Sequence, residues 1–143
     1  MSADEAPVFV DTNVFVYAFD LSAGEKRDRA HALLDRLWAD GRGCLSVQVL
    51  QEFYVTVTQK VARPLEPEAA AVIVRDLSYW RIHAPVAEDV LGAVDLQQRQ
   101  MASFWDAMIL WSARQLGCST IWSEDLSEGQ DYDGVRVVNP FRD

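Results

Sequence analysis

Two aspartates stand where apolar runs stop. Asp11 follows Val8, Phe9 and Val10, and Asp125 follows Ile121 and Trp122 after the polar Ser123 and Glu124. In an open parallel sheet, ligands bind outside the carboxyl ends of the strands, so an acid in either place could face one. Each could equally be an ordinary loop or helix-capping aspartate. Asp106 is the only charge between Phe104 and Trp111, company in which a carboxylate is costly unless paired, so it requires a partner or a site. Three residues after Ser103, it could also close a capping box, and capping and ligation are compatible. Other chemistries fail on residue type. His31 and His83 lack the local spacing of a zinc pair and adjoin no serine or cysteine nucleophile motif. There is no glycine-rich phosphate loop. Carboxylates are hard oxygen ligands suited to Mg²⁺ or Mn²⁺, ions that polarise a phosphoryl oxygen and activate water for in-line attack.

Strands and helices must alternate if these acids are to meet. Short apolar runs predict buried strands at Val8 to Val10, Cys44 and Leu45, Arg81 to Ala84, Ser119 to Trp122 and Val135 to Val138. Helical spacing of Ala30, Leu33, Leu34, Leu37 and Trp38 predicts a helix over Lys26 to Asp40, ended by Gly41 and Gly43. Ser46 can cap a helix whose apolar face is Leu50, Phe53, Tyr54, Val57 and Val61, with Pro64 as its stop. Further helices are expected at about Pro67 to Ser78 and Val86 to Gln97, with Gln97 to Gln100 as a loop. Ser103 opens another, Phe104 to Gln115, apolar nearly all round and ended by Gly117. The alternation implies an α/β fold, a three-layer α/β/α sandwich with a parallel central sheet. Glu52 lies nearly opposite its helix's apolar stripe, where periodicity alone favours a solvated glutamate over a cleft ligand.

The 143 residues, 50% hydrophobic and 24% charged, suit one compact domain over 1–143. Cys44 and Cys118 are too few for a disulfide scaffold and are expected as buried free thiols. No apolar run reaches the roughly 20 residues of a membrane span, and Met1 to Pro7 is acidic rather than signal-like, which points to the cytoplasm and away from membranes. A net charge of −9, with Lys26 and Lys60 the only lysines, argues against holding nucleic acid by broad phosphate neutralisation. A polyanionic substrate would need gathered arginines or bound divalent cations. Most of the acids must simply be solvated surface charge.

With these residues in place, a resemblance emerges. The run VFVDTNVFVYA at 8–18 resembles the opening of PIN domains, where an aspartate ends the first strand. Ser46 to Phe53, with Glu52 and Phe53, is similar to the family's second acidic motif, FWDAMI at 104–109 to its third and IWSEDL at 121–126 to its fourth. The ending from Asp133, Gly134 and Val135 to Asn139, Pro140 and Phe141 resembles the VapC-type toxins of that family. The resemblance implies a metal-dependent endoribonuclease in which Asp11, Glu52, Asp106 and Asp125 bind one or two divalent ions, Mg²⁺ or Mn²⁺. Thr12, Asn13 and Ser123 would support the cluster by hydrogen bonds. Glu124 could share or replace the role of Asp125, and Asp20 could lie near the site or on the surface. As partners it implies RNA, a cognate antitoxin and a second copy of the chain. Phe15, Tyr17, Phe19, Leu37 and Trp38 could form an exposed patch for them, although core packing is the default for such stripes. A non-catalytic domain of the same fold is the alternative. A phosphoacceptor signalling domain fits less well, because neither lysine stands at a strand end.

Overall fold

The computed structural model describes residues 6–129 and 131–142, so the acidic opening Met1 to Glu5 lies outside the described residues. In chain order the elements are β1 (Val8–Val10), α1 (Thr12–Phe19), α2 (Glu25–Asp40), β2 (Gly43–Ser46), α3 (Val47–Gln59) and α4 (Pro67–Leu77). They continue with β3 (Arg81–His83), α5 (Ala87–Gln100), α6 (Phe104–Gln115), β4 (Thr120–Trp122), β5 (Asp131–Tyr132) and β6 (Val135–Val138). The sheet runs β3-β2-β1-β4-β6-β5 and is parallel except for β5.

That order explains the layers. The first two crossovers step the same way, from β1 to β2 and from β2 to β3, and carry α1 to α4. The third steps back past β1 to β4 and carries α5 and α6. Right-handed crossovers that step in opposite directions deposit their helices on opposite faces, giving the expected three layers. The chain leaves β1 towards β2 and leaves β4 towards β6, so the boundary between β1 and β4 is the topological switch point, where a crevice opens beyond the carboxyl ends of the strands.

The core is made from the strands and the inner helix faces. Phe9, Val10, Leu45 and Ile121 of the sheet are fully buried, as are Val14 and Phe15 of α1, Phe53 and Val57 of α3, and Leu110 of α6. Cys44 and Cys118 are buried free thiols, as expected. Among the described residues no helix is long and apolar enough to cross a membrane.

Several elements depart from expectation. The segment after Asp11 is the start of α1, not only a polar stop. Gln97 to Gln100, expected as loop, continues α5. Glutamine and arginine are good helix formers, and Arg99 pairs with Asp95 one turn back at 2.9 Å, so the helix runs on until Met101 takes a positive φ of 54°. The helix of α3 ends at Gln59, ahead of Pro64, and buries Val49, Phe53 and Val57, while Leu50 and Tyr54 are only partly buried. The sheet is not wholly parallel, because Asp131 and Tyr132 turn back on β6 through Asp133 and Gly134, both at positive φ. Phe15 and Leu37 are fully buried and so cannot belong to an exposed patch, although Trp38 is 48% exposed.

Candidate active site at the carboxyl ends of β1 and β4

Strand register brings the first two acids together. Val10 lies beside Trp122, so Asp11 comes level with Ser123, and the Asp11 amide donates to the Trp122 carbonyl at 2.9 Å. Ser123, fully buried, donates from Oγ to Asp11 Oδ2 at 2.8 Å, and the same oxygen accepts the amides of Asp125 and Leu126 at 3.2 Å. One hydroxyl therefore fixes Asp11 and the turn carrying Asp125. Asp11 is also the N-cap of α1, accepting the Thr12 amide at 2.7 Å, where the helix's free N–H groups favour negative charge.

The two polar residues after Asp11 extend these links. Asn13 donates to Asp125 Oδ2 at 3.1 Å and, more weakly, to Asp11 Oδ2 at 3.4 Å, while its own oxygen accepts the Glu124 amide at 3.2 Å. Thr12 donates to Glu52 Oε1 at 2.8 Å, tying α1 to α3. Asp106 sits in the first turn of α6. Its amide donates to Ser103 Oγ at 3.1 Å, the serine half of the capping box that sequence allowed, but the Asp106 side chain does not close the box. Its carboxylate makes no hydrogen bond or ion pair among the described residues.

Asp11, Glu52, Asp106 and Asp125 line one open cleft of about 580 Å³. Thr12 and Asn13 line it too, whereas Ser123 lies beneath, reached only through Asp11 and Asp125. Burial pushes the Asp11 carboxyl up to about 6, an effect opposed by the Ser123 and Thr12 hydrogen bonds and reinforced by the charges of Asp125 and Glu52. Among the described residues no three acidic, histidine or cysteine side chains stand close enough together to hold an ion on their own. The donor set nevertheless fits a hard cation. Mg²⁺ keeps several of its waters and takes only one or two carboxylates directly, so spaced oxygens around a roomy cleft suit it better than a tight cage would.

Two acids with open assignments are placed elsewhere. Glu124 accepts from the Tyr17 hydroxyl at 2.6 Å and from Lys26 Nζ at 2.5 Å, and these contacts hold its carboxyl below the usual range against the opposing effect of burial. It does not line the cleft. Asp20 caps the far end of α1, accepting from Ser22 at 2.9 Å and 2.6 Å, about 13.5 Å along the helix axis from Asp11.

Gln48, Gln51, Thr56, Lys60 and Trp105 also line the cleft and were not singled out from sequence. A signal existed. Gln48, Glu52, Thr56 and Lys60 recur every four residues, a polar row along one face of α3. A second constellation is only apparent. His83 Nδ1 lies 2.7 Å from Ser112 Oγ and its Nε2 3.4 Å from Asp89 Oδ2, the pairing order of a hydrolytic triad. Ser112 is 1% exposed, so no substrate reaches it, and the network instead ties β3, α5 and α6 together.

Fold and cleft together define a three-layer α/β protein with an acidic site at the switch point of its sheet. More particularly, the chain belongs to the PIN domain family, whose pattern matches residues 8–127. Its fold is shared by a toxin–antitoxin complex from Klebsiella pneumoniae, with a TM-score of 0.66 and 21% identity over 95% of this chain and 98% of the other. It is shared by VapC20 of Mycobacterium tuberculosis, described as a sarcin–ricin loop cleaving toxin, with a TM-score of 0.61 and 21% identity over 82% and 89% of the two chains. DNA-bound VapBC of Salmonella typhimurium gives a TM-score of 0.63 at 17% identity over 92% and 96%. No curated protein sequence is significantly similar.

Proposed function

We propose that this protein is a metal-dependent endoribonuclease, the toxin half of a toxin–antitoxin pair, acting as one nuclease domain over residues 1–143. The observation that carries this reading is the single cleft at the switch point of a PIN fold, lined by Asp11, Glu52, Asp106 and Asp125. The similarity in fold to VapC20, a toxin described as cleaving RNA of the sarcin–ricin loop, supports the substrate class. The similarity to toxins solved with their antitoxins supports the partner.

In this reading Asp11, Glu52, Asp106 and Asp125 hold one or two divalent cations, Mg²⁺ or Mn²⁺. When bound, such an ion polarises a phosphoryl oxygen and lowers the pKa of a water. The chain's own residues do the rest. Ser123 and Asn13 fix the orientation of Asp11 and Asp125, and Thr12 does so for Glu52. Asp106, whose carboxylate has no partner among the described residues, would accept the proton of the attacking water. Attack forms the new P–O bond as the P–O3′ bond breaks, and the departing oxygen takes a proton. The products are a 5′-phosphate and a 3′-hydroxyl.

A cognate antitoxin would silence the cleft by inserting an arginine, whose planar fork matches carboxylates. The protein would also form a homodimer. The test is incubation of single-stranded RNA with Mg²⁺ or Mn²⁺, against a chelator control, with end-group analysis. Metal-dependent cuts bearing 5′-phosphates are expected. RNA left intact with both ions, or cut equally well in chelator, would overturn the reading.

A further inference from the structure

Trp105 lines the acidic cleft and is 63% exposed, against 38% for Val55, the other exposed large apolar residue of the lining. An indole left in water forgoes the burial free energy that aromatic side chains normally gain, so its position at the rim of a polar cleft needs a reason. It immediately precedes Asp106, and its backbone is anchored rather than loose. The Trp105 carbonyl accepts a hydrogen bond from Gln48 Nε2 at 3.3 Å, and the Phe104 ring packs edge-on to the indole, with centroids 5.1 Å apart and planes at 77°.

Gln48 strengthens the point. It is 8% exposed and its Oε1 is buried without a hydrogen-bond partner among the described residues, while its amide nitrogen donates to the Trp105 carbonyl. Gln48 thus ties α3 to the first turn of α6 through the Trp105 backbone, which fixes where the indole starts from. The Phe104 contact is edge-to-face, not stacked, so a flat ring can still be laid on the indole. Among the described residues no cation covers it.

The charge of the molecule says what such a ring is for. With a net charge of −9, broad phosphate neutralisation cannot supply affinity for RNA, whereas base stacking is indifferent to charge. Lys60, at the opposite end of the polar row that begins at Gln48, forms no ion pair among the described residues and is left to meet a phosphate further along the strand. Resting on the nuclease reading, we propose that Trp105 is a substrate-binding residue, a platform on which an unpaired base close to the scissile phosphate stacks. A base inside a duplex has no free face, so the platform selects single-stranded or looped RNA.

The experiment compares the parent with Trp105→Ala and Trp105→Phe on a short unpaired RNA, and on copies of it carrying one abasic position each. Trp105→Ala should raise KM about tenfold or more with kcat and melting temperature near the parent's, because it removes binding and not chemistry. Trp105→Phe should restore most of the loss. One abasic position should raise KM for the parent and not for Trp105→Ala, the coupling expected of a direct contact. A parent-like KM for Trp105→Ala, or an abasic penalty that persists in that variant, would overturn the platform while leaving the nuclease reading intact. A parent that cuts no RNA under any metal condition would overturn the nuclease reading and the platform with it.

Discussion

Asp11 is the residue on which stability and function pull against each other. Its folded-state carboxyl titrates at about 6 because burial, with Asp125 and Glu52 nearby, disfavours the charge, while the ordinary value is 3.8. In metal-free protein the folded state therefore keeps a proton that the unfolded chain releases between these two values. The associated stability is present below about pH 4 and is lost as pH rises through about 6, the reverse of the usual aspartate. The shift corresponds to a loss on the order of 2–3 kcal/mol from this one group. Asp11→Asn removes the titration. In chelator, its unfolding free energy relative to the parent should rise by that order between about pH 4 and pH 7, measured by urea denaturation. A difference that stays flat with pH would show that the Asp11 carboxyl is not held protonated. The type and position of Asp11 were readable from the apolar run that it ends, but its burial was not. That burial depends on Ser123, which sits 112 residues away in sequence and becomes a neighbour only through the register of β1 with β4.

At the scale of elements, the helices that carry acids are held by close backbone approaches as well as by apolar faces. Gly92, inside α5, presses on α6: a Cβ there would lie 2.3 Å from the Trp111 ring. The ring cannot easily yield, because Trp111 Nε1 donates to Asp89 Oδ1 at 3.0 Å. Gly92→Ala gains about 1 kcal/mol of helix propensity, and overpacking outweighs it, for an expected net loss of about 1–3 kcal/mol in unfolding free energy. A stabilised Gly92→Ala would mean that α5 and α6 do not meet as described. Most elements were legible because they follow local rules: Ser46 and Ser103 cap α3 and α6 as expected, and Gly41 ends α2 at a φ of 68°. The failures share a cause. The α1 helix is too short and too apolar to display a helical stripe, and the pairing of β5 with β6 is made by two residues and a turn. Glu52 could not be assigned by periodicity, because a glutamate opposite an apolar stripe looks solvated until Thr12 of α1 is known to face it. The family resemblance, not the helical pattern, singled it out.

For the whole molecule, the acidic balance and the proposed metal site are one problem. Burial, with a smaller contribution from the charges of Asp125 and Glu52, disfavours the ionised Asp11 in the folded state, so a divalent cation bound in the cleft should stabilise the fold by mass action. Millimolar Mg²⁺ or Mn²⁺ is expected to raise the melting temperature at pH 7, and a transition indifferent to both ions would remove the basis for the metal site. The central claim is that the four-carboxylate cleft does chemistry and is not simply part of the scaffold. Asp106 tests it most directly, since its amide caps α6 through Ser103 while its carboxylate has no partner among the described residues. Asp106→Asn leaves that cap in place, so unfolding free energy should change by about 1 kcal/mol or less. Loss of one anionic oxygen should cut metal-dependent RNA cleavage by roughly a hundredfold or more. The decisive measurement is the cleavage rate of Asp106→Asn beside its unfolding free energy. A near-parental stability with cleavage collapsed is the predicted result, and parental cleavage with stability lost would contradict the account.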